Sequence, residues 1–422
     1  MNRLKRYENY KDSDVEWLGK IPEHWEIKKL KYALKFTTGG TPSSGVENYY
    51  NGEEPWVTIA DMTGRYIEKS HFISKKAVRE CNMQIVPKNS LLYSFKLSVG
   101  QVAFTKEEIY TNEAIASFYP SKNIDLNFWY YVLPIFLIKN ANTNIYGAFL
   151  LNQDLIKNAL IIFPPNEEQT KIASFLDEKT AQIDEVISQK EKLIELLKER
   201  KQIVINDAVT KGLDKDVEFV DSGVEWIGNI PKHWKLLANK YVFNLKKNLV
   251  GKKSNEYDLL SLTLEGIIKR DLDKGGKFPA EFDTYQEVKK GDFVFCLFDV
   301  EETPRTVGLS KYDGMITGAY TVFSVKNINK EYLYYFYLNL DSKKRLKPLY
   351  TGLRNTISKD NFFSFKSFIP PKNEQIKIVE YIENQTTKID KAIELQQNYI
   401  SKLKEYKASL IDSVVTGKVK VS

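Results

Sequence analysis

His24, His71 and His233 are the only histidines in this 422-residue chain, and Cys81 and Cys296 are its only cysteines. Imidazole and thiolate are the groups that most often ligate metals or move protons near neutral pH, so a metal or nucleophilic site would draw on them first. Two cysteines build neither a disulfide framework nor a Cys-based zinc site. His24 and His233 lie in two copies of one stretch, "VEWLGKIPEHW" from Val15 and "VEWIGNIPKHW" from Val224. They are therefore repeats of one element and not two ligands of one centre. No Gly-x-Ser-x-Gly elbow, GxxxxGK[ST] loop or strand-flanked GxGxxG occurs, which leaves acyl transfer, nucleotide hydrolysis and dinucleotide binding without a motif. "FPPN" at Phe163 and "IPPK" at Ile369 lack the flanking amide and aromatic of an amino-methyltransferase motif. They read as helix punctuation. Scattered Asp, Glu and Lys combinations arise by chance where 28% of residues are charged. No catalytic constellation emerges.

The aromatic marker is positioned by an internal duplication. Trp17 matches Trp226, Pro22 matches Pro231, and His24-Trp25 matches His233-Trp234, so four of the six tryptophans belong to it. Further on, "FPPNEEQTKIASFLDEKTAQIDEVI" from Phe163 matches "IPPKNEQIKIVEYIENQTTKIDKAI" from Ile369. The order is marker, variable stretch and Pro-Pro-started segment, then all three again. The end "DSVVTGKVKVS" followed by the beginning "YKDSDVEWLG" would nearly recreate the middle junction "DAVTKGLDKDVEFVDSGVEWIG". That closure predicts a pseudo-two-fold ring with adjacent termini.

Each Pro-Pro segment opens a helix of roughly 40 residues, about 60 Å long. Ile172, Leu176, Ile183, Val186, Leu193, Leu197 and Val204 form the first apolar stripe. Ile378, Ile382, Ile389, Tyr399, Leu403, Tyr406 and Leu410 form the second. Steps near three and four are the coiled-coil period, and a two-fold relation makes the pairing antiparallel. Asn166 with Gln169 resembles a capping box, and Gly212 is placed to stop the first helix.

Between marker and helix lie stretches rich in Tyr, Phe, Val, Ile, Thr and Gly, roughly 28–162 and 235–368, which read as mixed, mainly β domains. Overlaying them sets Gly100 against Gly308, and Asn112-Glu113-Ala114 against Thr317-Gly318-Ala319. The expected fold is α+β: two mixed, mainly β domains separated by two long helices in an antiparallel coiled coil, as a pseudo-two-fold tandem repeat. A 42% hydrophobic and 13% aromatic composition is that of a folded chain. Net charge +7 and pI about 8.9 suit a polyanionic partner without demanding one. The N-terminus has no signal-peptide core, and Pro134 interrupts the most apolar run, "FWYYVLPIFLI". A soluble, cytoplasmic protein is expected.

These markers, the stretch "TTGGTPSSGVENYYNGEEPWVTIADM" from Thr37, and the two Pro-Pro…Glu-Gln…Ile-Asp helix starts resemble the specificity (S) subunits of Type I restriction-modification systems. The resemblance covers nearly the whole chain. It implies target recognition domains at 1–162 and 215–368, each reading one half of a bipartite asymmetric DNA target, with spacer helices at 163–214 and 369–422. It implies a non-catalytic subunit that binds double-stranded DNA and two adenine-methylating (M) subunits and that joins restriction/translocase (R) subunits. S-adenosylmethionine, ATP and Mg²⁺ would be used by those partners, with no cofactor and no metal on this chain. For DNA contacts, polar turn-like stretches offer Thr41, Ser43, Ser44, Arg65, Lys96 and Ser98 in the first domain. In the second they offer Lys252, Lys253, Ser254, Arg270, Arg305, Arg354 and Asn355. Arg and Lys can pair with guanine or phosphate, and Ser, Thr and Asn can reach base edges. For each, a solvated surface position is the competing reading. A two-domain interaction scaffold that binds no DNA is the alternative function.

Overall fold

A carboxylate in the first turn of each long helix gathers the aromatic marker of its own copy. In the computed structural model, which describes residues 5–121, 124–143, 147, 149–224, 227–271 and 281–421, Glu168 accepts hydrogen bonds from Trp25 Nε1 at 3.0 Å and from the Tyr7 hydroxyl. It also lies 2.8 Å from His24 Nε2. Glu374 repeats the arrangement with Trp234 Nε1 at 3.0 Å and His233 Nε2 at 2.8 Å. The next residue ties the helix start to its own approach: Gln169 Nε2 donates to Pro164 O at 2.9 Å and Gln375 Nε2 to Pro370 O at 2.8 Å. The capping box expected at Asn166 and Gln169 is therefore absent. The residue before the helix is Pro165, which has no side-chain oxygen to cap with, and Gln169 turns back to a proline carbonyl instead.

The chain forms two compact units, Met1–Gln189 with Tyr399–Ser422 and Lys190–Asn398. Each boundary falls inside a long helix. Four helices matter below: α1 (Leu126–Lys139), α2 (Asn166–Lys211), α3 (Lys330–Ser342) and α4 (Lys372–Val415).

In the first unit, strand Glu26–Lys29 leaves the marker and pairs antiparallel with Leu160–Phe163, the strand that runs into α2. In the second, Lys235–Ala238 pairs with Lys366–Ile369, which runs into α4. Each variable domain thus begins and ends on one two-stranded ribbon. Within it lies a four-stranded antiparallel sheet, ordered Phe36–Thr38, Ile115–Phe118, Leu91–Ser94, Val102–Phe104 in the first unit. The second unit has the same order in Phe243–Lys246, Thr321–Val325, Phe293–Phe295 and Val307–Leu309. The run "FWYYVLPIFLI" is helical, part of α1, and buries Phe128, Trp129, Val132, Leu133, Phe136 and Leu137.

Sheet register corrects half of the sequence overlay. Leu92 faces Ala103 and Val294 faces Gly308, so Gly308 is the counterpart of Ala103. Gly100 lies instead in the preceding turn, because the loop of the second unit is longer. The match of 112–114 with 317–319 holds, since both segments precede the strand that pairs with the sheet centre.

Within the first unit, Lys407 of α4 pairs with Asp184 of α2 at 2.6 Å. Within the second, Lys190 meets Gln396 at 2.9 Å and Lys201 meets Asp390 at 2.7 Å, so numbering rises on one helix as it falls on the other. Along these helices Ile183, Ile187, Ile194 and Val204 of α2 and Ile389, Ile400 and Leu410 of α4 are buried, while Ala208 and Ile382 belong to the core of the second unit's domain. Val186, Leu193, Tyr399 and Tyr406, predicted in the stripes, are exposed. Apolar residues are adjacent at 186–187 and 193–194, and the phase set by Ile183 selects the second of each pair.

The ends of the long helices are equivalent as well. Gly212 closes α2 with φ +72° and Gly417 follows α4 with φ +74°. A Cβ on Gly417 would lie 2.4 Å from Pro22 and 3.1 Å from Trp25, and one on Gly212 would lie 3.2 Å from Trp234. In each unit, then, the end of one long helix packs on the marker whose Glu partner begins the other. Lys420 N donates to Lys5 O at 2.8 Å, which brings the two ends of the chain together in the first unit. Trp17 packs edge-to-face on Phe136 at 4.9 Å; its sequence partner Trp226 lies outside the described residues. No helix among the described residues is long and apolar enough to cross a membrane.

Trp25 is fully buried. Its replacement by Ala is expected to lower stability by about 3–5 kcal/mol, read as a lower urea midpoint, with little change in ligand preference. An altered preference in a fully stable variant would contradict that role.

Candidate nucleic-acid interface

Two loops of the first unit converge on the turn Asn112-Glu113-Ala114. Asn112 Oδ1 accepts from Ala114 N at 3.1 Å, which sets the turn. The Thr41 hydroxyl donates to the Glu113 carboxylate, and Phe95 N donates to Ala114 O at 3.0 Å. Thr41, Ser43, Ser44, Lys96 and Ser98 therefore belong to one exposed loop cluster. The Thr41 loop is held from below, with Trp56 Nε1 donating to Gly40 O at 3.0 Å and the Tyr50 hydroxyl to Pro42 O at 2.7 Å. Gly39 makes the approach possible, since a Cβ there would lie 1.6 Å from Thr111 O. The cluster combines hydroxyls, a carboxylate and an ammonium, which suits base edges and phosphate.

Arg65, chosen from the sequence as a DNA contact, is placed elsewhere. Its guanidinium forks onto Asp177 of α2 at 2.5 and 3.0 Å and lies 4.7 Å from the Tyr130 ring centroid. Asn127 Oδ1 accepts from it at 3.2 Å. Burial opposes its charge, yet the hydrogen bonds and attraction of Asp177 outweigh that and raise its pKa. Burial, with the Asp177 hydrogen bond behind it, pushes neighbouring Tyr131 up to about 12. Arg65 fastens the variable domain to the helix.

In the second unit the corresponding turn is Thr317-Gly318-Ala319, closely packed on Thr284 O. Gly251 N donates to Asp283 O and Val250 N to Tyr285 O, so Lys252, Lys253 and Ser254 join this turn through residues 283–285. Lys252 and Lys253 are exposed and Ser254 is half-buried. Arg354 forks onto Asp299, with Nε to Oδ1 at 3.0 Å, and lies 5.7 Å from the Phe298 ring. Phe298 stacks with Tyr320, which directly follows the turn. The Arg354 guanidinium holds the Asp299 carboxyl below the usual carboxylate range. Asn355 Nδ2 donates to Glu302 Oε1 at 3.0 Å.

Arg305 is not part of this group. Its Nη2 donates to Leu264 O at 2.9 Å, and its Nε lies 4.0 Å from the buried Asp341. Asp341 also accepts from Thr306 N, Thr306 Oγ1 and Lys344 Nζ. Arg270 is exposed and follows strand Gly266–Lys269, its N–H donating to Leu259 O at 2.8 Å. Sequence reasoning missed Glu113, Phe298 and Asp299. The overlay had found the turn that contains Glu113, but only the fold shows two loops bonded to it. Among the described residues, no group of three His, Cys, Asp or Glu side chains is arranged to hold a metal ion.

Residues 22–196 match the family model described as the Type I restriction modification DNA specificity domain. That stretch of the chain is thus similar to a Type I DNA specificity domain. The MjaIX specificity subunit of Methanocaldococcus jannaschii is 30% identical over 235 residues, 54% of this chain and 52% of that relative. The alignment thus spans about half of that relative's length. The MjaVIII specificity subunit of the same organism is 24% identical over 420 residues, 95% of this chain and 94% of its own. A chain in a solved structure described by complex assembly and conformational transition of the type I R-M system has a TM-score of 0.69 at 13% identity, covering 94% of this chain and 98% of that one. The HsdS subunit from Thermoanaerobacter tengcongensis has a TM-score of 0.53 at 13% identity with the same coverage. At that identity the two structures support the specificity-subunit fold alone.

Removing the Arg65 fork should therefore affect attachment and not recognition. Arg65→Ala is expected to cost on the order of 1 kcal/mol, because the pair is partly exposed. Denaturation of the purified chain would measure it.

Proposed function

We propose that this chain reads a bipartite, asymmetric DNA target, one half through each unit's loop cluster, on behalf of partner subunits that methylate adenine and cleave DNA. The observation that carries this reading is one sheet order and one marker–helix node used twice, under loops that differ in composition and in the way they are held. A duplicated scaffold with unlike loops suits two different half-sites, where an identical pair would require a palindrome. The continuous helices would fix the separation of the readers. Removing one turn from each changes it by about 5.4 Å, between one and two base-pair steps.

The outer faces of the helices carry Val186, Tyr399 and Tyr406 in the first unit and Leu193, Leu196, Ile203 and Leu395 in the second, all exposed. Apolar residues in such number on solvent faces fit docking of other chains, and we assign them to two methyltransferase subunits, which restriction/translocase subunits would then join. S-adenosylmethionine, ATP and Mg²⁺ would act in those partners. A DNA-independent scaffold would share the helices but show no salt-dependent DNA binding.

Co-expression with a neighbouring methyltransferase subunit, followed by mapping of methylated adenines, tests the assignment. A split motif whose one half changes when one variable domain is exchanged is expected; no complex and no new methylation would count against it. Lys252→Ala and Lys253→Ala are each expected to reduce the slope of log affinity against log salt by about 1 if they meet phosphate, with the motif unchanged. Salt titration of DNA binding measures this.

A further inference from the structure

Leu97 stands at the tip of the hairpin joining Leu91–Ser94 to Val102–Phe104. Its residue surface is 95% exposed and its φ is +60°. An apolar side chain in water and a left-handed backbone at a residue other than glycine are each unfavourable, and Asn would relieve both. The conformation is nevertheless held. The Ser94 hydroxyl bonds to Ser98 O and accepts from Gln101 N at 2.9 Å, while Gly100 N donates to Ser94 O at 2.9 Å. The bond from Phe95 N to Ala114 O fixes this hairpin beside the Thr41–Glu113 contact.

Counted from the incoming strand, Asp299 holds the place of Leu97 in the second unit, and its φ is also positive, +46°. There the position is occupied by an ion pair, and the apolar group is supplied by another segment. Arg354 forks onto Asp299, Asp299 N donates to Arg354 O at 2.9 Å, and Val300 N donates to Asn355 O at 3.3 Å. These bonds clip the hairpin Tyr350–Thr351/Thr356–Ile357 onto the Asp299 turn. At the tip of that hairpin Leu353 is fully exposed. Each unit therefore presents a bare leucine, on this turn in the first and on a hairpin bonded to it in the second, with a cation next to it in sequence, Lys96 or Arg354.

Resting on the DNA-reading assignment above, we propose that Leu97 and Leu353 are apolar anchors that press into a base step of their own half-site. Apolar side chains used in this way partly unstack a step and are flanked by cations that meet the backbone. Hydroxyls and charges alone would leave no reason for a leucine at a left-handed tip.

The test uses the complex with the methyltransferase subunit, whose methylation sites first define the two half-sites. Duplexes carrying 2-aminopurine at successive positions report unstacking. Wild-type complex is expected to raise fluorescence at one step in each half-site. Leu97→Ala should abolish the signal in the first unit's half alone and weaken binding about tenfold; Leu353→Ala should do the same for the other half. Leu97→Asn should behave like Leu97→Ala in DNA binding while melting no lower than wild type. Wild-type affinity and unstacking in both alanine variants would overturn the proposal, as would loss of methyltransferase assembly, which would make the leucines protein contacts. A wild-type complex that binds and methylates no split site would instead sink the underlying DNA assignment, and this proposal with it.

Discussion

Everything in each unit is referred to one acidic side chain, Glu168 or Glu374, at the start of a long helix. A carboxylate largely shielded from water is stable only with donors around it, and the marker brings them: an indole N–H and an imidazole from consecutive residues. The positive end of the helix dipole adds to the stabilisation. In the first unit Tyr7 adds a third donor, and burial together with Glu168 holds its hydroxyl protonated well above the ordinary tyrosine range. The node fixes three directions at once: the marker, the strand leading into the variable domain, and the helix leaving it. The second glycine-ended helix then packs on the same tryptophan. Because the Trp–Glu and His–Glu contacts recur in both units, the scaffold constrains the ends of the variable domains and leaves their loops unconstrained.

That division explains what the sequence revealed. The marker and helix starts are readable because their side chains bond to one another in a fixed pattern, so His24-Trp25 and Glu168 recur as His233-Trp234 and Glu374. The duplication, the two helices and the mainly β domains followed from it. Seam phase did not, since 186–187 and 193–194 each offer two neighbouring apolar residues and only packing against the other helix chooses. Sheet register was equally hidden: a glycine overlay cannot see a loop-length change that register exposes.

The loop clusters were the least legible part. Residue type nominated arginines as readers, yet Arg65 and Arg305 are engaged by Asp177 and Asp341 because guanidinium also serves well to join protein segments. Composition gives no sign of which acid faces which base so far along the chain. The residues around which the clusters form, Glu113 and Asp299, are acidic and were passed over in a search for DNA-binding cations. The short polar loop from Thr41 to Ser44 was recognisable, since its serines and the flanking Gly40 and Gly45 announce an exposed turn.

One feature of the chain path bears on biosynthesis. The second unit is a single uninterrupted segment, whereas the first needs residues 399–422 in addition to 1–189. A domain emerging first from the ribosome ordinarily folds first. Here Pro22, Trp25 and Tyr10 wait for Gly417 and Lys418, so the half that is synthesised first is completed last. During translation the first unit carries an unfinished marker surface until the final turns of the second helix are made and Gly417 and Lys418 can close it.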